Sequence, residues 1–255
     1  MQSGRAGAPP SCTTVLARSA GWQWRIPLRS REGNGLVFSS RFQSDDQARD
    51  ELLANLPGKP VMEPRRLRFT PGRRSVAWSK NCVALGLSSG FLEPFEATSI
   101  ALIETGIERL KRLFPDRDFN PAVIAEYNEK SAEEIERIRD FLIFHYKLNG
   151  RSGPLWEACR DVAVPHSLGS KLTSWRARGA FVRYRWEMFS PASGLAIYAG
   201  FDDLPRRLDP AVAGLELRRS LGAMRRSLRD TAADTPTHQE FLEVMDCAAA
   251  KVRAA

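Results

Sequence analysis

Glu96 stands two residues before Thr98 and three before Ser99, where an irregular turn gives way to a helical repeat. The acid thus stands beside a candidate anion-binding helix start. The free N–H groups of a helix's first turn, with the positive end of its dipole, can hold an anion. The helix is read from Ile100, Ile103, Ile107, Leu110 and Phe114, which recur at spacings of three and four. Ahead of it Val76, Trp78, Val83 and Leu85 alternate with small or polar neighbours, which predicts strand, and Gly86, Gly90 and Pro94 mark a turn. The bare pattern E-x-T also suits a helix cap. On these residues alone, anion site and cap both stay open.

The elements that must position this stretch fall in two kinds, which makes the fold class α+β. Residues 1–18 are rich in Gly, Pro, Ser and Arg without periodicity, and are expected to be disordered or loosely attached. Trp22, Trp24, Ile26 and Leu28 alternate with Gln23 and Arg25 as a half-buried strand does, and Pro27 argues for an edge or bulge. A second strand is expected to pair with it through a turn at 32–34. A helix follows from Ser44, with Gln47 completing a capping box and Ala48, Leu52 and Leu56 facing inward, until Pro57 and Gly58 end it. The spacing predicts a strand over 65–70 that turns at Pro71 and Gly72.

After Pro115 the pattern is mostly helical. Asn120 and Pro121 signal a helix start, and Ile135, Ile138, Phe141, Leu142 and His145 mark its packed face, with His145 read as a hydrogen-bonded core histidine. Residues 181–186 alternate and could form a short strand. Asp209 and Pro210 open another helix with Leu217, Leu221, Met224 and Leu228 inward, and Thr237 with Glu240 forms a last capping box. The domains read as 1–18, 19–115 and 116–255.

Composition narrows the function. With 255 residues, 43% hydrophobic and 27% charged, the chain can bury a substantial core. No run of 18 apolar residues and no signal-type hydrophobic segment occurs, so no membrane association is expected and the cytoplasm is the expected compartment. Cys12, Cys82, Cys159 and Cys247 form no C-x-x-C pair, and His145, His166 and His238 form no ligand cluster, so no metal is expected. The net charge of +8 raises nucleic-acid binding. Its arginines are dispersed with few interleaved aromatics, so no nucleic-acid partner is expected.

Residues 86–100, GLSSGFLEPFEATSI, together with 21–28, GWQWRIPL, resemble two signatures of flavin-dependent halogenases of the tryptophan halogenase family. GNG at 33–35, NCVALG at 81–86, IRDFLIFHY at 138–146 and Leu155–Trp156 extend the resemblance. It implies part of an antiparallel flavin-monooxygenase-like sheet region, then a helical module on the substrate side. It also implies a reaction in which reduced FAD, supplied by a flavin reductase, and oxygen turn chloride or bromide into hypohalous acid. A lysine then presents the halogen to an electron-rich aromatic ring, tryptophan or a relative. Glu96 occupies the position of the glutamate that stabilises the cationic intermediate or takes its proton. Thr98 and Ser99 align with the pair whose N–H groups hold the halide, and Leu87 and Ile100 with flavin-contacting positions. Trp22, Trp24, Ile26 and Pro27 match residues lining the passage between flavin and substrate. Two departures stand out: Ser99 replaces the commoner glycine, and Ala97 the usual serine.

A glycine-rich G-x-G-x-x-G turn, which such a flavoprotein needs to approach the pyrophosphate, does not occur in the sequence. The family's lysine belongs to its N-terminal half, and Lys59, Lys80, Lys111, Lys130, Lys147, Lys171 and Lys251 lie in other contexts. The chain is therefore expected to correspond to a C-terminal half, to bind FAD weakly alone, and to work with an N-terminal complementing half. The alternative is a non-catalytic remnant or aromatic-ligand-binding module.

Overall fold

Pairing along the chain is antiparallel throughout, and helices dominate after residue 98. The computed structural model describes residues 1–4, 9–207, 210 and 217–254. Its contacts form two units, Met1–Arg66 with Gly153–Leu155 and Ala211–Ala255, and Leu67–Ser152 with Trp156–Pro210.

The first unit is built on a four-stranded sheet of β1 (Gln2–Ser3), β2 (Thr14–Arg18), β3 (Gly21–Pro27) and β4 (Glu32–Phe38), in the order β1-β4-β3-β2. Part of the segment expected to be loose is therefore strand. Ser3 is fully buried, Asn34 Nδ2 donates to its hydroxyl, and the Gly4 and Val61 N–H groups donate to Lys59 O and Gln2 O. These ties run through backbone groups and one small side chain, so they leave no hydrophobic period in the sequence.

The β3–β4 turn lies at 28–31, with Pro27 opposite Glu32, so Glu32 and Asn34 are strand residues rather than turn residues. Leu28 N–H donates to Arg31 O to close it. Pro27 sits at the end of an interior strand, beyond the reach of β2, whose pairing stops at Arg25. Its missing N–H costs the sheet no bond there.

Gln23 is fully buried, which the half-buried reading of β3 did not foresee. Helix α1 (Asp45–Ala54) follows in the same unit, and the Gln23 amide donates to Asn55 O at its C-terminal end while its oxygen accepts from Arg18. The capping box of α1 forms as expected, and Ala48 and Leu52 are buried. Opposite Trp24 lies Gly35, where an added Cβ would sit 2.3 Å from the indole, so the glycines of GNG give Trp24 room to lie across β4. Late in the chain α7 (Leu217–Asp234) leaves Leu221, Met224 and Leu228 exposed rather than inward. The side chain of Leu217, like Asp209, falls outside the described residues. Periodicity reports that a helix has an apolar face, not what covers it. The Thr237–Glu240 capping box forms at the start of α8 (His238–Ala254).

In the second unit, two short pairings precede the helices: β5 (Gly72–Arg73) with β8 (Gly90–Phe91), and β6 (Trp78–Ser79) with β7 (Cys82–Val83). Residues 65–70 are not strand, and Leu67 is 71% exposed, so the alternation there has no sheet face to occupy. Helix α2 (Ser99–Arg112) leads to the 28-residue α3 (Pro121–Leu148), capped by Asn120 with Pro121 in its first turn. α4 (Pro154–Asp161), α5 (His166–Arg178) and α6 (Pro191–Gly200) follow. Phe144 of α3, Leu168 and Leu172 of α5, and Ile197 and Tyr198 of α6 form the core. Trp175 stacks on Tyr198 at 4.3 Å, and burial pushes the Tyr198 phenol above its ordinary range. Residues 181–186 are irregular rather than strand: Trp186 has φ +63°, and the Phe181 ring fills the space a side chain at Gly194 would need.

Asn128 of α3 fastens the hairpin. Its Oδ1 accepts from the N–H groups of Ala77 and Trp78 at 2.8 and 2.7 Å, and its Nδ2 donates to Trp78 O at 2.9 Å. Asn128→Ala would strand those groups and is expected to cost about 1–3 kcal/mol, read as a lowered urea midpoint. A midpoint equal to that of the unsubstituted chain would show that water replaces the amide without loss.

Candidate functional site

The stretch carrying Glu96 is held from both sides. Before it the chain makes a tight 3₁₀ turn at Gly86–Ser88, in which Gly86 adopts φ +57°. A Cβ there would lie 2.7 Å from Ile103 Cγ1, so glycine is needed for the turn to rest on α2. After it α2 docks through Gly106 and Arg109, its two buried residues. A Cβ on Gly106 would meet Leu85 at 2.7 Å. Arg109 donates to Glu134 Oε2 at 2.7 Å and to Ser131 Oγ at 3.0 Å, both on α3. The guanidinium also lies over the Tyr127 and Trp186 rings, 5.7 and 5.6 Å from their centroids.

Because that face is the docked one, the apolar stripe that defines α2 in the sequence is turned outward. Ile100, Ile103 and Ile107 are exposed, as is Leu87 in the preceding turn. The helix is amphipathic as expected, but its second unit does not cover its apolar side.

Between turn and helix, residues 92–98 are irregular. The Tyr146 hydroxyl donates to Glu93 Oε2 at 2.7 Å. Glu96 Oε1 lies 3.3 Å from His145 Nε2, and the Phe95 ring meets His145 edge-on at 4.9 Å. Thr98 occupies the N-cap position of α2 with φ −81° and ψ −7° and makes no side-chain capping bond. The acid is thus engaged by a histidine of α3, and the first-turn N–H groups are not closed off by the threonine.

Glu96 and His145 line a cavity of about 380 Å³ with Phe141, Phe189, Ile197 and Phe201. Phe141 and Phe189 stack nearly parallel, 11° apart with centroids at 3.7 Å. A carboxylate at the rim of an aromatic-walled cavity can stabilise a cation on a flat ring and accept its proton. The same stack borders a second cavity of about 40 Å³, also lined by Arg137, Asp140, Lys171 and Glu187. Its charges stand in pairs: Lys171 with Glu187, and Arg137 with Asp140 at 3.9 Å, whose carboxylate also accepts from the Ser167 hydroxyl. Among the described residues no group of three His, Cys, Asp or Glu is placed to hold a metal. No helix among them is long and apolar enough to cross a membrane.

Glu96, Leu87, Thr98, Ser99 and Ile100 therefore belong to one unit. Trp22, Trp24, Ile26 and Pro27 belong to the other. Trp22 is buried in that unit's core, whereas Ile26 is exposed and Trp24 half-buried. His145, read from the sequence as a hydrogen-bonded core histidine, does bond the Phe141 carbonyl, and its contact with Glu96 is what the sequence reading missed. Its signal was the i, i+4 spacing to Phe141, which places both on one face of α3.

A family model described as Tryptophan halogenase matches residues 1–216. Tryptophan 6-halogenase SttH of Streptomyces toxytricini is 32% identical over 249 residues, which is 94% of this chain and 47% of that protein. The structure of BrvH, a flavin-dependent halogenase from Brevundimonas sp. BAL3, superposes with a TM-score of 0.90 at 59% identity, over 95% of this chain and 50% of BrvH. That of Xcc4156, a flavin-dependent halogenase from Xanthomonas campestris, superposes at 0.90 and 43% identity over 95% and 50% of the two chains. The chain spans about half the length of the relatives it matches.

Proposed function

The chain belongs to the tryptophan halogenase family, and from that premise we propose that it is the substrate-side portion of a flavin-dependent halogenase in which Glu96 is the general base. The observation that carries this reading is the Glu96 carboxylate at an aromatic-walled cavity, ahead of a helix whose first turn lacks a side-chain cap. The substrate is an electron-rich aromatic, tryptophan or a related indole or phenol, held against the Phe141–Phe189 wall. When the halogen adds, the ring becomes cationic. Glu96 stabilises that charge and then takes the proton from the halogenated carbon, so that the C–H electrons restore the aromatic system and an O–H bond forms.

FAD, reduced by a partner flavin reductase, would activate oxygen, the oxidant that turns halide into hypohalous acid. The residues present fit one side of such a site. Leu87 and Ile100 are exposed and apolar, as flavin-contacting positions require, and the N–H groups of Thr98 and Ser99 would hold the halide. Ser99 keeps the backbone donor of the usual glycine but adds a side chain at that turn, which would narrow the halide pocket. Trp24, Ile26 and Pro27 would line the passage, with Trp22 supporting them from the core. The exposed stripe of Ile103 and Ile107 supports a complementing N-terminal half that carries the glycine-rich turn and the lysine.

The test is reconstitution. An N-terminal half bearing those two features is supplied in trans with FAD, a flavin reductase, a reduced nicotinamide donor, bromide or chloride, and an indole, and halogenated product is read by mass spectrometry. Product is expected with both halves, and the chain alone is expected to leave gel filtration without a visible flavin band. A flavin band retained by the chain alone would overturn the need for a complement. A well-bound complement that yields no product would leave a non-catalytic aromatic-ligand module as the reading.

A further inference from the structure

His145 has two ring nitrogens, and each faces an oxygen. Nδ1 lies 2.9 Å from Phe141 O and Nε2 lies 3.3 Å from Glu96 Oε1. A backbone carbonyl has no proton to give, so the short contact at Nδ1 requires Nδ1–H to donate to it. In the neutral ring that assignment leaves the lone pair on Nε2, because the bond made by one nitrogen fixes the state of the other. Phe141 stands one helical turn before His145, and its ring and that of Phe95 meet the imidazole edge-on at 5.0 and 4.9 Å. The tautomer is thus set by the helix itself and the ring plane by two aromatics. Among the described residues, His145 is the only titratable one besides Glu96 lining the cavity. Glu93, the other carboxylate of the same loop, is engaged by the Tyr146 hydroxyl.

We propose that His145 is a positioning residue that serves as the proton acceptor behind Glu96; the inference rests on the reading of Glu96 as the general base. An ionised Glu96 gains little from a bare nitrogen at 3.3 Å. Once it has taken a proton from the substrate carbon it becomes an O–H donor, and Nε2 is the acceptor facing it. The O–H bond then breaks, an Nε2–H bond forms, and the imidazolium is satisfied on both sides, by Phe141 O and by the restored carboxylate. The base is regenerated, and the ring later releases the proton to solvent.

The first test uses the whole chain labelled with ¹⁵N-histidine, with His145→Gln to identify the His145 signals. In buffer alkaline enough for the ring to be neutral by its own nitrogen shifts, Nδ1 is expected to carry the proton and Nε2 to be bare. An Nε2–H tautomer, or an even mixture, would overturn the relay. The second test uses the complemented enzyme. His145→Gln is expected to lower kcat about 10- to 100-fold with KM little changed, and added imidazole is expected to restore part of the activity of His145→Ala. Full kcat in His145→Gln would overturn the relay even where Glu96→Gln is inactive. If Glu96→Gln keeps full activity, it is the general-base reading that fails, and the tautomer result stands separately.

Discussion

In the complemented enzyme, Glu96→Gln is expected to lower halogenated-product formation by about 10²–10⁴-fold, the range a positioned proton acceptor contributes. The amide keeps the shape and a hydrogen-bonding contact with His145, but loses the negative charge that steadies a ring cation and the basicity that removes its proton. Glu96 is about one-third exposed on its side chain and sits in an irregular loop, so the substitution removes no buried partner and should leave the fold unchanged. Flavin retention by the complemented enzyme and formation of hypohalous acid, measured with a chemical trap, should also be unchanged, because neither uses the carboxylate. The discriminating pattern is therefore trapped oxidant at the normal rate with almost no halogenated aromatic. Unchanged product yield would remove Glu96 from the mechanism. Loss of trapped oxidant along with product would place it at the halide site instead.

The acid was legible in the sequence because its surroundings are local. Gly86, Gly90 and Pro94 break one element, and the next begins within five residues of Pro94, at Ser99. Its partner was not, because 49 positions separate Glu96 from His145 and only the packing of α3 against the segment that carries Glu96 brings them to 3.3 Å. The cavity was illegible for the same reason: Phe141 and Phe189 stack across 48 positions with no shared period.

Strand and helix identity followed local chemistry wherever a cap or an alternation was satisfied on the spot, as at Ser44–Gln47, Asn120–Pro121 and Thr237–Glu240. Errors arose where a segment depended on distant backbone. Residues 2–3 became strand through β4, and residues 65–70 and 181–186 alternated without finding a neighbouring strand. The stripe on α2 shows the sharpest divergence. Its five apolar positions predicted the face that would pack, yet the helix docks through a glycine and an arginine. A helix can pack closely where a side chain is absent or where a buried charge is paired, and Gly106 and Arg109 supply one of each.

That arginine carries the other large expected effect. Arg109→Met would leave the Glu134 carboxylate, 6% exposed, with the Thr105 hydroxyl at 3.1 Å but without its cation at 2.7 Å. Breaking one side of a buried pair costs about 3–5 kcal/mol, because the remaining charge is uncompensated. Arg109→Met is expected to lower stability by that amount in urea titration, followed through the fluorescence of Trp186, whose ring lies under the guanidinium. Glu134→Gln should be less severe, since an amide can still accept from Arg109. The double variant Arg109→Met/Glu134→Leu should recover most of the loss, because two apolar side chains of similar size need neither charge solvated. Recovery in the double variant would show that the pair specifies how α2 meets α3, and through α2 where Thr98 and Ser99 stand. A single Arg109→Met loss below about 1 kcal/mol, the scale of an exposed ion pair, would show instead that water reaches this contact and that the docked glycine face alone holds the helix.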